Sequence, residues 1–123
     1  MLYAMLAYHV EETVTSWSQT EDDALMDELL GVHERLVAEG KIGPAARLGP
    51  TLKALTLRGG TLMDGPFAET KEALLGLYVL DCASDEEAAQ VARDLQKANP
   101  TAVYELRPIA LYLPGAKISP TEA

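Results

Sequence analysis

Two hydropathic rhythms run along this chain of 123 residues. Residues 2–9, LYAMLAYH, are almost wholly apolar; they predict a strand with Tyr3, Met5 and Ala7 on one face and Leu2, Ala4, Leu6 and Tyr8 on the other. After a polar link the rhythm turns helical. Thr20, followed by Glu21, Asp22 and Asp23, predicts an N-cap with an acidic first turn, which suits the positive end of a helix dipole. Leu25, Met26, Leu29, Leu30, Leu36 and Val37 then recur at helical spacing until Gly40, a residue suited to ending a helix. His33 lies on that apolar stripe.

Beyond the helix, IGPAARLGP and LKALTLR predict short strands, and the paired glycines of RGGT at 58–61 predict a hairpin turn because glycine accepts positive φ. Residues 74–82, LLGLYVLDC, are apolar on both alternating faces, the pattern of a central strand buried on two sides. Ser84 with Glu87 has the spacing of a capping box, and the helix it opens carries Ala88, Val91, Ala92 and Leu95 before Asn99-Pro100 stops it. A last strand, AVYELRPIALYL, is bent or interrupted at Pro108, which cannot donate to a ladder.

Strand, helix, strands, strand, helix, strand is the order of an α+β, ferredoxin-like βαββαβ unit with an added β-hairpin. Its two helices cover one face of the sheet. The first and central strands are apolar on both faces, so a second copy of the chain is expected on the other, giving a homodimer through the sheet face. A single domain over 1–116 is expected, followed by a polar C-terminal tail at 117–123.

Charge narrows the partners. Nineteen acidic and ten basic residues leave a formal net charge of −9, which repels phosphate backbones and disfavours nucleic acid or anionic membrane. The first apolar run ends within ten residues, short of the roughly 20 that a membrane span needs, and no basic leader precedes it. One cysteine, Cys82, can form no internal disulfide or cysteine zinc cluster, so a cytoplasmic setting is expected. There is no phosphate-binding loop, nucleophile elbow or dinucleotide fingerprint, and no cofactor or metal is implied.

Candidate chemistry gathers at LMDGPFAETKEALLG, residues 62–76. Pro66 holds its own φ and drives Gly65 from the helical region, while the Asp64 carboxylate can accept local backbone N–H bonds, so the four residues form a stiff corner. Such a corner can simply close a loop. The full run DGPFAETKE, however, resembles the signature of the YCII-related, or DGPF-domain, family at all nine positions. The likeness extends to the first strand, the helix bearing His33, the LTLRGGTLMDGPF hairpin, the GLYVLD strand and the ELRPI terminus.

That resemblance implies a dimeric α+β barrel of ferredoxin-like subunits, and a helix histidine paired with an aspartate as active-site residues, at positions matched here by His33 and Asp64. It also implies either lyase-like or dehydrochlorinase-like activity on a small organic molecule, or a non-catalytic, ligand-binding or regulatory module linked to an alternative sigma factor. Independently of family, an imidazole on an apolar helix face points inward, where burial favours the neutral form that a general base needs. A core histidine satisfied by one backbone carbonyl fits the same pattern. Around the corner, Arg58 or Lys71 could anchor an anionic ligand, Glu69 could accept from it, and Thr70 could cap a turn at Lys71. Gly65, Pro66 and Phe67, the only phenylalanine, could line the site, with Phe67 aimed into an apolar gap. Glu72 reads as a solvated charge, and His9 as a surface or local residue unless folding brings it near His33.

Overall fold

The computed structural model describes residues 1–120. In chain order the elements are β1 (Leu2–His9), a short α1 (Glu11–Thr15), the long α2 (Gln19–Ala38), β2 (Ile42–Arg47), a 3-10 turn (Thr51–Lys53), β3 (Leu55–Arg58), β4 (Thr61–Asp64), β5 (Ala73–Asp81), α3 (Asp85–Ala98) and β6 (Val103–Pro108). The protein is a mixed α+β domain. Four strands form one antiparallel sheet in the order β2-β5-β1-β6, and β3 pairs only with β4 as a separate ribbon. The last three residues of the tail expected at 117–123 lie outside the described residues, and none of the described helices is long and apolar enough to cross a membrane.

Local chemistry accounts for the helix ends. The cap of α2 is Ser18, not the expected Thr20: the Glu21 N–H donates to the Ser18 hydroxyl at 3.1 Å and the Ser18 N–H to the Glu21 carboxylate at 3.2 Å. This reciprocal box satisfies two otherwise orphaned donors and starts the helix early enough to place Thr20 inside its first turn. The polar link before it contains α1, five residues with no sequence periodicity to announce them. Gly40, at φ 71°, ends α2 as expected, and the Lys41 N–H closes back on the Leu36 carbonyl at 3.0 Å. Ser84 caps α3 by accepting from the Glu87 N–H, while the Glu87 carboxylate turns to the Ala83 N–H instead of completing the box.

On one face of the sheet α2 and α3 pack over β1 and β5. Tyr3, Met5, Leu80, Leu36, Val91 and Leu95 are the largest fully buried side chains, and Ile42, Cys82 and Ala88 complete their cluster. Burying one such Leu contributes about 1.5–3 kcal/mol. Along this face the cross-strand pairs are large until the last: Tyr3 lies opposite Leu80 and Met5 opposite Tyr78, but Ala7 lies opposite Gly76. One end of the layer is therefore filled, and the other is hollow. A bulge after Ala7 shifts the register by one residue, and pairing resumes with Tyr8 opposite Leu74. The opposite face, with Leu2, Ala4, Leu6, Tyr8, Leu77 and Val79, has no helix upon it among the described residues and is half-buried.

Among the described residues the ribbon makes no extensive packing against another element. Its turn uses Gly59 at φ 55° and Gly60 at φ 82°, conformations disfavoured for other residues. At its far end the Gly65 N–H donates to the Ala54 carbonyl at 2.7 Å, and the Thr56 hydroxyl to the Gly65 carbonyl at 2.8 Å. Gly65 is at φ 95°, so at this corner it lies outside the helical region as expected. Its lock comes from the facing strand, since no hydrogen bond to the Asp64 carboxylate is made among the described residues. Leu52, Leu55, Leu57, Leu62 and Phe67 are all strongly exposed, Leu52 at 89% and Phe67 at 77%.

Candidate functional site

Because side chains are small at the Ala7–Gly76 end of the sheet, a cavity of about 830 Å³ opens there beneath residues 19–33 of α2. That size lies within the range of small-molecule sites. Leu25, Met26, Leu29, Leu30 and His33 of α2 form its roof; Ala7, Ala45, Leu75, Gly76 and Tyr78 of the sheet form its floor. Val14 and Trp17 close one side, Leu95 and Asn99 of α3 reach it from behind, and residues 48–50 pass along its mouth. Gly76 is needed for the floor's close fit. A Cβ there would stand 3.3 Å from the Ala46 carbonyl oxygen and 3.5 Å from the Ala7 methyl.

Two polar assemblies stiffen the wall. At the inner end His9, only 5% exposed, shares a 3.1 Å hydrogen bond between its Nε2 and Asn99 Oδ1; since an amide oxygen can only accept, Nε2–H is the donor. Nδ1 then faces the Thr101 hydroxyl at 3.5 Å, and the ring meets Trp17 edge-on at 5.5 Å. With both nitrogens engaged, His9 holds β1, α3 and Trp17 together. Beside it the Tyr104 hydroxyl is buried with no partner in hydrogen-bond geometry. Burial pushes its pKa up to about 12, the neighbouring Tyr78 adds to this, and the adjacent Asn99 side chain opposes it.

At the mouth, Arg47 grips Asp22 with both terminal nitrogens, at 2.8 and 3.1 Å, tying the end of β2 to the first turn of α2. The guanidinium holds the Asp22 carboxyl below its usual range. Glu11 accepts from both the Thr51 hydroxyl, at 2.5 Å, and the Thr51 N–H, at 2.9 Å, and these two bonds lower its pKa likewise. Both carboxylates thus strap residues 47–51 over the cavity's edge.

His33 lies where the stripe placed it, half-buried and on the cavity wall, with no hydrogen-bond partner for either ring nitrogen among the described residues. Asp64 lies elsewhere. It ends β4 on the exposed ribbon, does not line the cavity, and makes no hydrogen bond to His33 within the chain. Arg58, Gly65, Pro66, Phe67, Glu69, Thr70 and Lys71 also lie on the ribbon or the loop after it, outside the cavity. Phe67 points into no gap of its own chain, and the Thr70 hydroxyl donates to the Glu72 carbonyl. Among the described residues no three His, Cys, Asp or Glu side chains are grouped to hold a metal ion.

Sequence reasoning missed His9, Asn99, Glu11, Asp22 and Arg47 as wall residues. His9 corrects the surface reading, and a signal for it existed: residues 3, 5, 7 and 9 share one strand face, so the inward row simply continues by one more step. No comparable signal existed for the others, whose partners are 25 to 90 residues away.

The fold and the hollow together define a cavity-bearing α+β domain in which a long helix roofs an antiparallel sheet. The chain belongs to the YCII-related domain family, whose model matches residues 1–112. It is similar to an uncharacterized protein of Rhizobium meliloti (strain 1021), at 56% identity over 120 residues that cover 94% of this chain and 97% of that protein.

Proposed function

We propose that this protein takes a small, largely apolar molecule into the cavity beneath α2 and uses His33 there as a cofactor-independent general acid or base, in the cytoplasm. One observation carries the reading: an imidazole with both nitrogens unengaged faces an apolar hollow of ligand size. Such a ring can take a proton from a bound carbon acid or return one to a leaving group, the step common to lyase-like and dehydrochlorinase-like reactions. Asp64 has no place in the cavity of its own chain, so the proton chemistry proposed here rests on His33 alone. The test is a screen of small organic molecules for turnover, comparing the native protein with His33→Ala of unchanged fold. Equal turnover by the two would remove His33 from the reaction.

We further infer that two copies associate through the uncovered sheet face as a dimeric α+β barrel of ferredoxin-like subunits; the strand order β2-β5-β1-β6 supports this. The ribbon belongs to the same association. Its exposed leucines need cover, and between residues 51 and 72 Lys53, Arg58 and Lys71 balance Asp64, Glu69 and Glu72. None of the chain's net negative charge therefore opposes a second copy at this patch. Sedimentation equilibrium should find a dimer that Leu57→Asp weakens; a native monomer at micromolar concentration contradicts the inference.

The same apolar ribbon favours a second reading, a non-catalytic module that covers this face with a regulatory partner such as an alternative sigma factor. A sigma factor retained on immobilised protein after His33→Ala, and lost with Leu57→Asp, would support it over the catalytic reading.

A further inference from the structure

The carboxylates and the guanidinium on the cavity wall already have hydrogen-bond partners within the chain. Besides the two histidines, the charged side chains there are Glu11, Asp22 and Arg47. Arg47 spends both terminal nitrogens on Asp22, whose two oxygens each accept one of those bonds. Glu11 spends one oxygen on the Thr51 hydroxyl and the other on the Thr51 N–H. At the inner end the His9 N–H is committed to Asn99. The wall groups that make no hydrogen bond among the described residues are neutral or aromatic, namely the His33 ring, the Tyr78 hydroxyl and the Trp17 indole N–H, while Thr15, Ser18 and Gln19 are engaged locally and the rest of the wall is mostly Leu, Met, Ala and Val.

An ionic ligand entering this space would leave water without meeting a lysine, arginine, aspartate or glutamate whose hydrogen-bonding groups are free. That desolvation costs several kcal/mol unless the ion breaks one of the existing wall pairs to gain a partner. Anions are further disfavoured, because the wall carries two carboxylates against one guanidinium and the whole chain has a net charge of −9. Cations must approach carboxylates whose four oxygens already accept hydrogen bonds, beside Arg47. A neutral apolar body carries neither cost, and one hydroxyl or carbonyl on it could hydrogen-bond to His33.

We propose that the cavity selects uncharged ligands, of aromatic or aliphatic body with a single neutral polar group, over anionic and cationic molecules of the same shape. This rests on the reading of the cavity as a ligand site and specifies its substrate class. It also moves the anion-anchoring role away from Arg58 and Lys71, which lie outside the cavity, and leaves no free cation within it.

N-phenyl-1-naphthylamine, a neutral dye that brightens in apolar surroundings, provides the readout. Three naphthalene competitors differing in one substituent then separate the charges: 1-naphthalenemethanol, 1-naphthaleneacetate and 1-naphthylmethylammonium. Only dye binding that Ala7→Phe or Leu29→Trp removes is counted, since the exposed ribbon can also bind dye; two separate blocking variants guard against one failing to fold. The alcohol should displace the dye at a concentration at least about tenfold lower than either ion. Asp22→Asn, which frees the Arg47 guanidinium, should improve the acetate's displacement while leaving the alcohol's unchanged. Displacement by either ion as good as by the alcohol overturns the charge selection and leaves the cavity reading intact. Dye binding that neither blocking variant alters overturns both.

Discussion

The two ends of the helix-covered sheet face are built from the same four strands and finish differently. At one end Tyr3, Met5 and Leu80 stand under Leu36 and Leu95 and fill the space completely; at the other, Ala7, Ala45 and Gly76 leave the roof of α2 standing over a hollow. Side-chain volume makes much of the difference, and the bulge after Ala7 lies at the hollow end. The filled end contributes burial and the unique packing that follows from it. The hollow end is held open instead by polar ties at its margins, His9–Asn99 within and Asp22–Arg47 and Glu11–Thr51 at the mouth. Stability and site are thus divided along a single sheet.

Substitutions at the two ends should separate them. Leu80→Ala removes a fully buried side chain from the filled end and should cost about 2–5 kcal/mol, read from the denaturant midpoint at unchanged m-value. Asn99→Ala strands the buried N–H of His9 and should cost about 1–2 kcal/mol, less than the full penalty because the neighbouring cavity can admit water. Ala7→Leu adds volume at the hollow end and should change stability by no more than about 1 kcal/mol while reducing the binding of apolar dye. A loss there as large as at Leu80 would mean that the cavity is not open in solution.

The smallest effect is one of pH. Asp22 has a lowered pKa in the folded state, so its contribution is fully present above the ordinary carboxyl value of about 3.9 and is lost as pH falls through the lower folded value. The pair with Arg47 is partly exposed, which limits the contribution to under about 1 kcal/mol. Native protein should therefore exceed Asp22→Asn by that margin at pH 7, and the two should converge near pH 2. A margin that grows on acidification would show that the strap is not the charge pair seen here.

Much of the fold was legible beforehand because each cue was local. The apolar alternation of β1 and β5, the glycine pair of the ribbon turn and the proline that ends β6 each act within a few residues. Boundaries moved where two local cues competed, as at Ser18 against Thr20, and the five-residue α1 offered too little periodicity to be seen. The site was less legible. His33 could be placed facing inward from its stripe, yet what it faces depends on Ala7, Ala45 and Gly76 meeting across three strands. The DGPF corner stood out as chemistry because it is dense in polar and rigid residues. Its physical role within the chain is to lock the end of an exposed ribbon.

By itself the sequence determined the α+β pattern, the inward face of His33, the turn at Gly65 and the family, since these depend on spacing and on residues close together in the chain. Only the tertiary structure decided that His9 is buried, that Asp64 and His33 do not share a cavity, and that the carboxylates and the guanidinium of the wall already have hydrogen-bond partners. Those facts depend on which distant residues the sheet register and helix packing bring together: a side chain's type is local, but its neighbours, and hence its chemistry, are not.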